Sequence, residues 1–119
     1  MKIFNRKTGR LAEDFAVKIL EKKGYKIIKR NFGNRFGEID IIAQDDKTLV
    51  FVEVKAKTGK EFGFPEEMIT AGKLARVRHM AMLYLKGCEV SCRIDVIAVV
   101  LSGDNNLLRL THYQNVTFR

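Results

Sequence analysis

The chain has 119 residues, 46% of them hydrophobic and 30% charged, with a formal net charge of +8. That length suits one domain over 1–119 with a single core, and that balance excludes a disordered or fibrous chain. No apolar run reaches the roughly 18 residues of a membrane helix, and the charged start Met1-Lys2-Ile3-Phe4-Asn5-Arg6-Lys7 lacks the apolar stretch of a signal peptide, so a cytoplasmic protein without a membrane partner is expected.

Leu11, Ala12, Phe15, Ala16, Ile19 and Leu20 recur at helical spacing, and Gly24 after Lys22-Lys23 marks where the first helix stops. Tyr25 to Arg30 reads as a first strand, and Asn31 to Gly37 as a glycine-punctuated loop. A second strand is expected from Glu38 to Gln44 and a third from Thr48 to Lys55, joined by a tight turn at Asp46-Lys47. Residues 56–66 read as a loop and Glu67 to Lys86 as a second helix, its buried stripe formed by Ala71, Leu74, Val77, Ala81, Tyr84 and Leu85. Arg93 to Leu101 is apolar on both faces beyond Asp95, which marks a central strand, and Leu107 to Tyr113 gives a fifth. The order is α-β-β-β-α-β-β, an α/β domain with a central mixed sheet flanked by two helices.

The charge is unevenly placed. Residues 1–35 carry eleven Lys and Arg against Glu13, Asp14 and Glu21, whereas residues 36–119 carry eleven basic and eleven acidic residues. One electropositive surface, with Lys22, Lys26, Lys29 and Arg30 on it, favours a polyanion such as a phosphate backbone; a plain solubility charge is the duller alternative. Cys88 and Cys92, with only His79 and His112 elsewhere, do not have zinc-site spacing and read as reduced thiols, Cys92 partly buried.

Chemistry concentrates in Gly37-Glu38-Ile39-Asp40 and Phe51-Val52-Glu53-Val54-Lys55. Strand alternation puts Glu53 and Lys55 on one face of a run that otherwise looks bound for a core, where unpaired charge is costly. A two-residue turn at Asp46-Lys47 sets a register with Asp40 opposite Glu53 and Glu38 opposite Lys55. Two carboxylates so placed can share a cation, and Mg2+ (or Mn2+) suits them because it prefers carboxylate and phosphate oxygens. The predicted metal ligands are Asp40, Glu53 and the Val54 carbonyl, with Lys55 orienting the attacking water. Glu13, at the border of the apolar face of the first helix in one row with Gly9, is a further ligand candidate, whereas Asp14 is expected to point to solvent. Duller readings stand beside these: a buried Asp/Glu/Lys cluster, Glu13 paired to a nearby Lys, and Glu38 as a plain cross-strand partner of Lys55. Lys57 and Lys73 are candidate phosphate contacts or solvated lysines, Arg93 and Asp95 a structural ion pair, and Phe62 and Phe64 base-stacking or core-edge residues.

This pattern resembles the PD-(D/E)xK nuclease superfamily, and more closely the YraN-like family of small bacterial proteins along nearly the whole chain. The match rests on Gly9 with Ala12-Glu13, Gly24-Tyr25, Arg30-Asn31, Gly37-Glu38-Ile39-Asp40, Phe51-Val52-Glu53-Val54-Lys55, Phe62-Gly63 with Pro65, Lys73, and Arg93 with Asp95-Val96. Lys57 and Ile94 depart mildly from it, standing where the family often has Arg and Phe. The resemblance implies a restriction-endonuclease-like fold and a predicted nuclease, with DNA as the expected partner. The helix-one Glu is also remotely similar to that of archaeal Holliday-junction resolvases, which implies branched DNA and a homodimer as further expectations. The rival readings are a nucleic-acid-binding module on the same fold with little or no catalysis, and a protein-interaction domain with a structural acid cluster.

Overall fold

The structure, a computed structural model, describes residues 2–59 and 64–117, with side chains from Lys7 onward. Phe62 and Gly63 lie outside the described residues. Helix α1 spans Lys2–Lys22, and five strands follow: β1 Lys26–Asn34, β2 Gly37–Asp45, β3 Thr48–Thr58, β4 Cys92–Leu101 and β5 Leu107–Tyr113. A 3-10 turn at Pro65–Met68 and helix α2, Ala71–Leu85, connect β3 to β4. The sheet has the order β1-β2-β3-β4-β5, with β3 and β4 parallel and every other pair antiparallel. This is the mixed α/β arrangement that the sequence implied.

Each helix covers one face. Ala12, Ala16 and Leu20 of α1 pack on Ile41, Ala43, Val50, Val52, Ile97 and Val99. On the other face Val77, Met80 and Ala81 of α2 meet Ile39, Ile42 and Phe51. Helix α1 stops as expected: Gly24 takes a φ of 92°, Tyr25 N–H donates to Leu20 O and Gly24 N–H to Glu21 O. That geometry closes the last carbonyls of a helix, and it needs a residue tolerant of positive φ.

Several boundaries differ from the sequence reading. The segment from Asn31 to Asn34 continues β1 rather than forming a loop, and only Arg35-Phe36 turn. Gly33 makes this hairpin possible, since a Cβ there would lie 2.8 Å from the Glu38 Cα. Strand β3 runs on to Thr58 because β4 pairs with it as far as Thr58↔Leu101. Helix α2 begins at Ala71, not Glu67, because the Thr70 hydroxyl accepts from Lys73 N–H and caps it there. Ala71 is therefore exposed, and Met80 joins the buried stripe instead. Cys92 is exposed, as is Cys88.

Candidate active site

The Asp46-Lys47 turn fixes the β2–β3 register as the sequence required, from Asp45↔Thr48 to Ile41↔Val52. The ladder ends there, one pair short of Asp40 and Glu53. Beyond that point Val54 N–H donates to Asp40 Oδ2 at 2.7 Å, a side chain standing where a backbone acceptor would otherwise be. The N–H and C=O of one residue in an extended strand leave from the same edge, so the Val54 carbonyl also faces the gap.

The gap comes from a slip in strand phase. Ile41 packs on the α1 side, while Ile39 and Ile42 both pack on the α2 side, which strict alternation forbids. Strand β1 slips with it. Arg30 reaches α1 and Phe32 packs on the α2 side, and Asn31 between them has a φ of 56°. Asn is among the few residues that tolerate that conformation.

The slip gathers acids. Carboxylate oxygens of Glu13, Glu38 and Asp40 lie within 4.8 Å of one another. They line a cavity of about 600 Å³ with Gly9, Arg10, Asp14, Arg30 and Asn31. Asn31, its amide nitrogen turned toward the acids, donates to Glu13 Oε2 at 3.1 Å and Glu38 Oε2 at 2.6 Å. Arg30 bridges Glu13 at 3.2 Å and Asp14 at 2.9 Å. On the α2 side of the fork Glu53, 9% exposed, holds Lys55 Nζ at 3.2 Å.

The protonation states follow from this crowding. Burial first, and the Glu53 charge second, push the Asp40 carboxyl up from 3.8 to about 8, against the Val54 hydrogen bond. Glu13 is raised too, chiefly by burial, although Arg30 works against it. Burial opposes the Lys55 ammonium, but Glu53, Lys73 and Asp40 together outweigh it, and Lys55 stays above its ordinary value. Lys73, on α2, lies in hydrogen-bond contact with Lys55 and is lowered by that contact and by burial. Two lysines are therefore held against one buried carboxylate.

The structure thus gathers Asp40 with Glu13 and Glu38 on the α1 side and Glu53 with Lys55 and Lys73 on the α2 side. Asp40 is near enough to feel the Glu53 charge, and the Val54 carbonyl faces the gap between. It corrects one expectation. The β2–β3 ladder ends before Glu38, which pairs only with Gly33 on β1 and not opposite Lys55, and its carboxylate joins the acid cluster. Asp14 is exposed, as expected, and ties to Arg30 at the rim of the cavity. The basic set divides. Arg30 is engaged by acids, and Lys57 continues β3 beyond Lys55. Lys22 and Lys26 are exposed at the end of the sheet where β1 pairs with Gln44, remote from Asp40, and Lys29 is exposed on the edge strand. Glu38 could have been found as the i−2 neighbour of Asp40 on one strand; Asn31 stood in the Arg30-Asn31 pair of the resemblance but with no role attached, and Arg10 carried no signal.

Arg93 and Asp95 form the expected ion pair, at 3.0 Å, away from the acid cluster. Asp95 is fully buried and also bonds His112 at 2.8 Å and Asn115 N–H at 3.0 Å, which lowers its pKa against the effect of burial. Phe64 is exposed and lies over Arg109, 5.2 Å from its guanidinium.

A mixed sheet between two helices, carrying an Asp and a Glu-x-Lys at a strand fork, defines a restriction-endonuclease-like protein. The chain belongs to the uncharacterised protein family UPF0102, whose sequence model matches residues 12–99. It is 46% identical over 110 residues to a UPF0102 protein of Pelotomaculum thermopropionicum, covering 90% of this chain and 92% of that one. A UPF0102 protein of Syntrophomonas wolfei is 41% identical over 116 residues, covering 93% and 97%. No helix among the described residues is long and apolar enough to cross a membrane.

Proposed function

We propose that this protein is a divalent-metal-dependent nuclease that hydrolyses DNA phosphodiester bonds, with branched or otherwise structured DNA as a candidate substrate. The observation that carries the reading is the Asp40 carboxylate, held by the Val54 N–H with an oxygen within 4.8 Å of those of Glu13 and Glu38, a crowding that with burial pushes its pKa up. Acids held this close are strained without a counter-charge, and they offer only oxygen donors. That donor set suits Mg2+ or Mn2+, held by Asp40, Glu53 and the Val54 carbonyl, with Glu13 in support. A bound ion would supply Lewis-acid polarisation of the phosphate and a water of lowered pKa.

The remaining work falls to the chain. Asp40 is fixed in orientation by the Val54 N–H, and Glu53 by Lys55. Lys55 stays an ammonium beside Glu53, so its role is to hold the attacking water and offset charge on the phosphate rather than to take a proton. Lys73, next to it, adds a cation for a non-bridging oxygen. Arg30 and Asn31 hold Glu13 toward the acids. Lys22, Lys26, Lys29 and Lys57 extend phosphate binding beyond the cleft.

The test is cleavage by purified protein, with Mg2+ or Mn2+, of single-stranded, duplex, flap and four-way DNA. Cleavage abolished in Asp40→Asn supports the reading. No cleavage of any substrate with either metal favours the binding module instead, a reading supported by the pairing of Glu13 with Arg30 and of Glu53 with Lys55.

A further inference from the structure

The five-stranded sheet ends on β1 at one side and β5 at the other. An open edge presents unpaired N–H and C=O groups to any strand that approaches, and native proteins blunt such edges with lysines, bulges or irregular backbone. Strand β1 is blunted in all three ways. Lys26 and Lys29 are exposed on it, a bulge separates Ile27 from Lys29, and Asn31 has a φ of 56°.

Strand β5 carries no lysine and no residue of positive φ; its one irregularity is a bulge at Leu108, at its start, and from Arg109 to Tyr113 the pairing with β4 is regular. It carries no Lys, Pro, Asp or Glu, and Leu107, Leu108 and Tyr113 are 41%, 61% and 40% exposed. Its one formal charge, Arg109, is taken up by Glu66, whose two oxygens each accept from it at 2.8 Å. Tyr113 bonds the same carboxylate at 2.6 Å. Among the described residues no strand but β4 pairs with β5.

We propose that β5 pairs antiparallel with β5 of a second copy of this chain, about a two-fold axis, to give a continuous ten-stranded sheet. An open edge calls for a strand as its occupant, and this strand is complementary to itself. Centred on Leu110, the pairing sets Leu110 against its own counterpart, Leu108 against His112, and Arg109 against Thr111. No like charges then oppose one another, whereas centring on Arg109 would set two guanidinium groups face to face. The opposite edge is guarded against such pairing by exposed Lys26 and Lys29 and by the bulge between Ile27 and Lys29. Seven residues of strand make a small interface, so the dimer is concentration-dependent and of micromolar strength. The inference does not depend on nuclease activity.

Sedimentation equilibrium of the whole protein, from about 1 to 200 μM to bracket a micromolar association, tests it. The wild-type mass should rise from 13.6 kDa toward twice that value. Leu108→Lys adds the charge that guards natural edges, at an exposed site, and should weaken association by roughly tenfold or more with an unchanged circular dichroism spectrum. Thr111→Lys, which would face Arg109 of the second copy, should do the same. Ile28→Lys on β1 should leave the dimer intact. Hydrogen exchange of amides within 107–113 should slow as concentration rises. A wild type that stays monomeric throughout overturns the proposal, as does a dimer that survives both β5 substitutions or is broken by Ile28→Lys.

Discussion

Replacing Asp40 by Asn isolates the energetic cost of the acid cluster. The folded protein holds the Asp40 proton up to about pH 8, whereas the unfolded chain releases it near 3.8. Between those values the folded state binds one more proton than the unfolded state, so stability falls as pH rises through the window and the loss is complete above pH 8. The shift corresponds to a ceiling of about 6 kcal/mol, at about 1.4 kcal/mol per unit. The cavity beside Asp40 opens to solvent and the effective dielectric there is high, so about 2–3 kcal/mol is the expected cost at pH 8. Asn keeps an oxygen for the Val54 N–H and carries no charge. Asp40→Asn should therefore melt with wild type below pH 4 and above it at pH 8, by roughly 8–12 °C for a domain of this size.

Thermal denaturation without divalent ions, in steps from pH 4 to 9, reads this directly. Added Mg2+ or Mn2+ should raise the melting temperature of wild type and not of Asp40→Asn, because only an ion that binds the folded state stabilises it. Calorimetric titration of wild type at pH 7 in buffers of different ionisation enthalpy should show proton release on metal binding. A melting difference that does not change with pH would refute the assignment of the strain to Asp40. Unchanged metal affinity in Asp40→Asn would refute the shared metal site.

Lys55→Ala should retain metal and DNA binding while cleavage drops by about 10²–10⁴-fold, read as single-turnover rates; equal rates would remove Lys55 from the site. DNA affinity should fall steeply with salt, and charge reversal at Lys22, Lys26 and Lys29 should flatten that slope by roughly one unit for each phosphate no longer neutralised, whatever the sequence bound. Gly33→Ala should destabilise the β1–β2 hairpin, because the new Cβ meets the Glu38 backbone; a chemical denaturation loss of about 1–3 kcal/mol is expected. Asp95→Asn should cost about 1–3 kcal/mol in the same assay, since it removes the charge from a fully buried acceptor of Arg93, His112 and Asn115 N–H while Arg93 keeps Asp45.

The sequence was most informative where one period ruled. The α1 stripe, the Gly24 stop, the Asp46-Lys47 turn and the buried run of β4 each follow from a regular repeat closed by a residue of known backbone habit. It was least informative where tertiary pairing overrode local signals. Asn31 to Asn34 has the composition of a loop but is held as strand by β2, and Thr58 extends β3 because β4 runs alongside. Helix α2 starts late because one hydroxyl, on Thr70, captures a free N–H.

The candidate site shows the same division. Asp40, Glu53 and Lys55 were legible as charges in apolar strands, and Glu13 as a carboxylate at the border of a helix. Glu38 was misplaced because the hairpin register was extended past Asp40 as though both strands kept their phase. They do not. Asn31 at positive φ and Asp40 opposite the end of the β2–β3 ladder let both strands slip together, and this turns Glu38 from Lys55 toward Glu13. The same slip removes a backbone acceptor from Val54, and the Asp40 side chain takes its place. One irregularity therefore opens the sheet, orients the central carboxylate and gathers the other acids on the α1 side, while Lys55 and Lys73 stay with Glu53 on the α2 side. A phosphate entering at the fork would have oxygen donors for a cation on one hand and two lysines on the other, an asymmetry that an unbroken ladder could not provide.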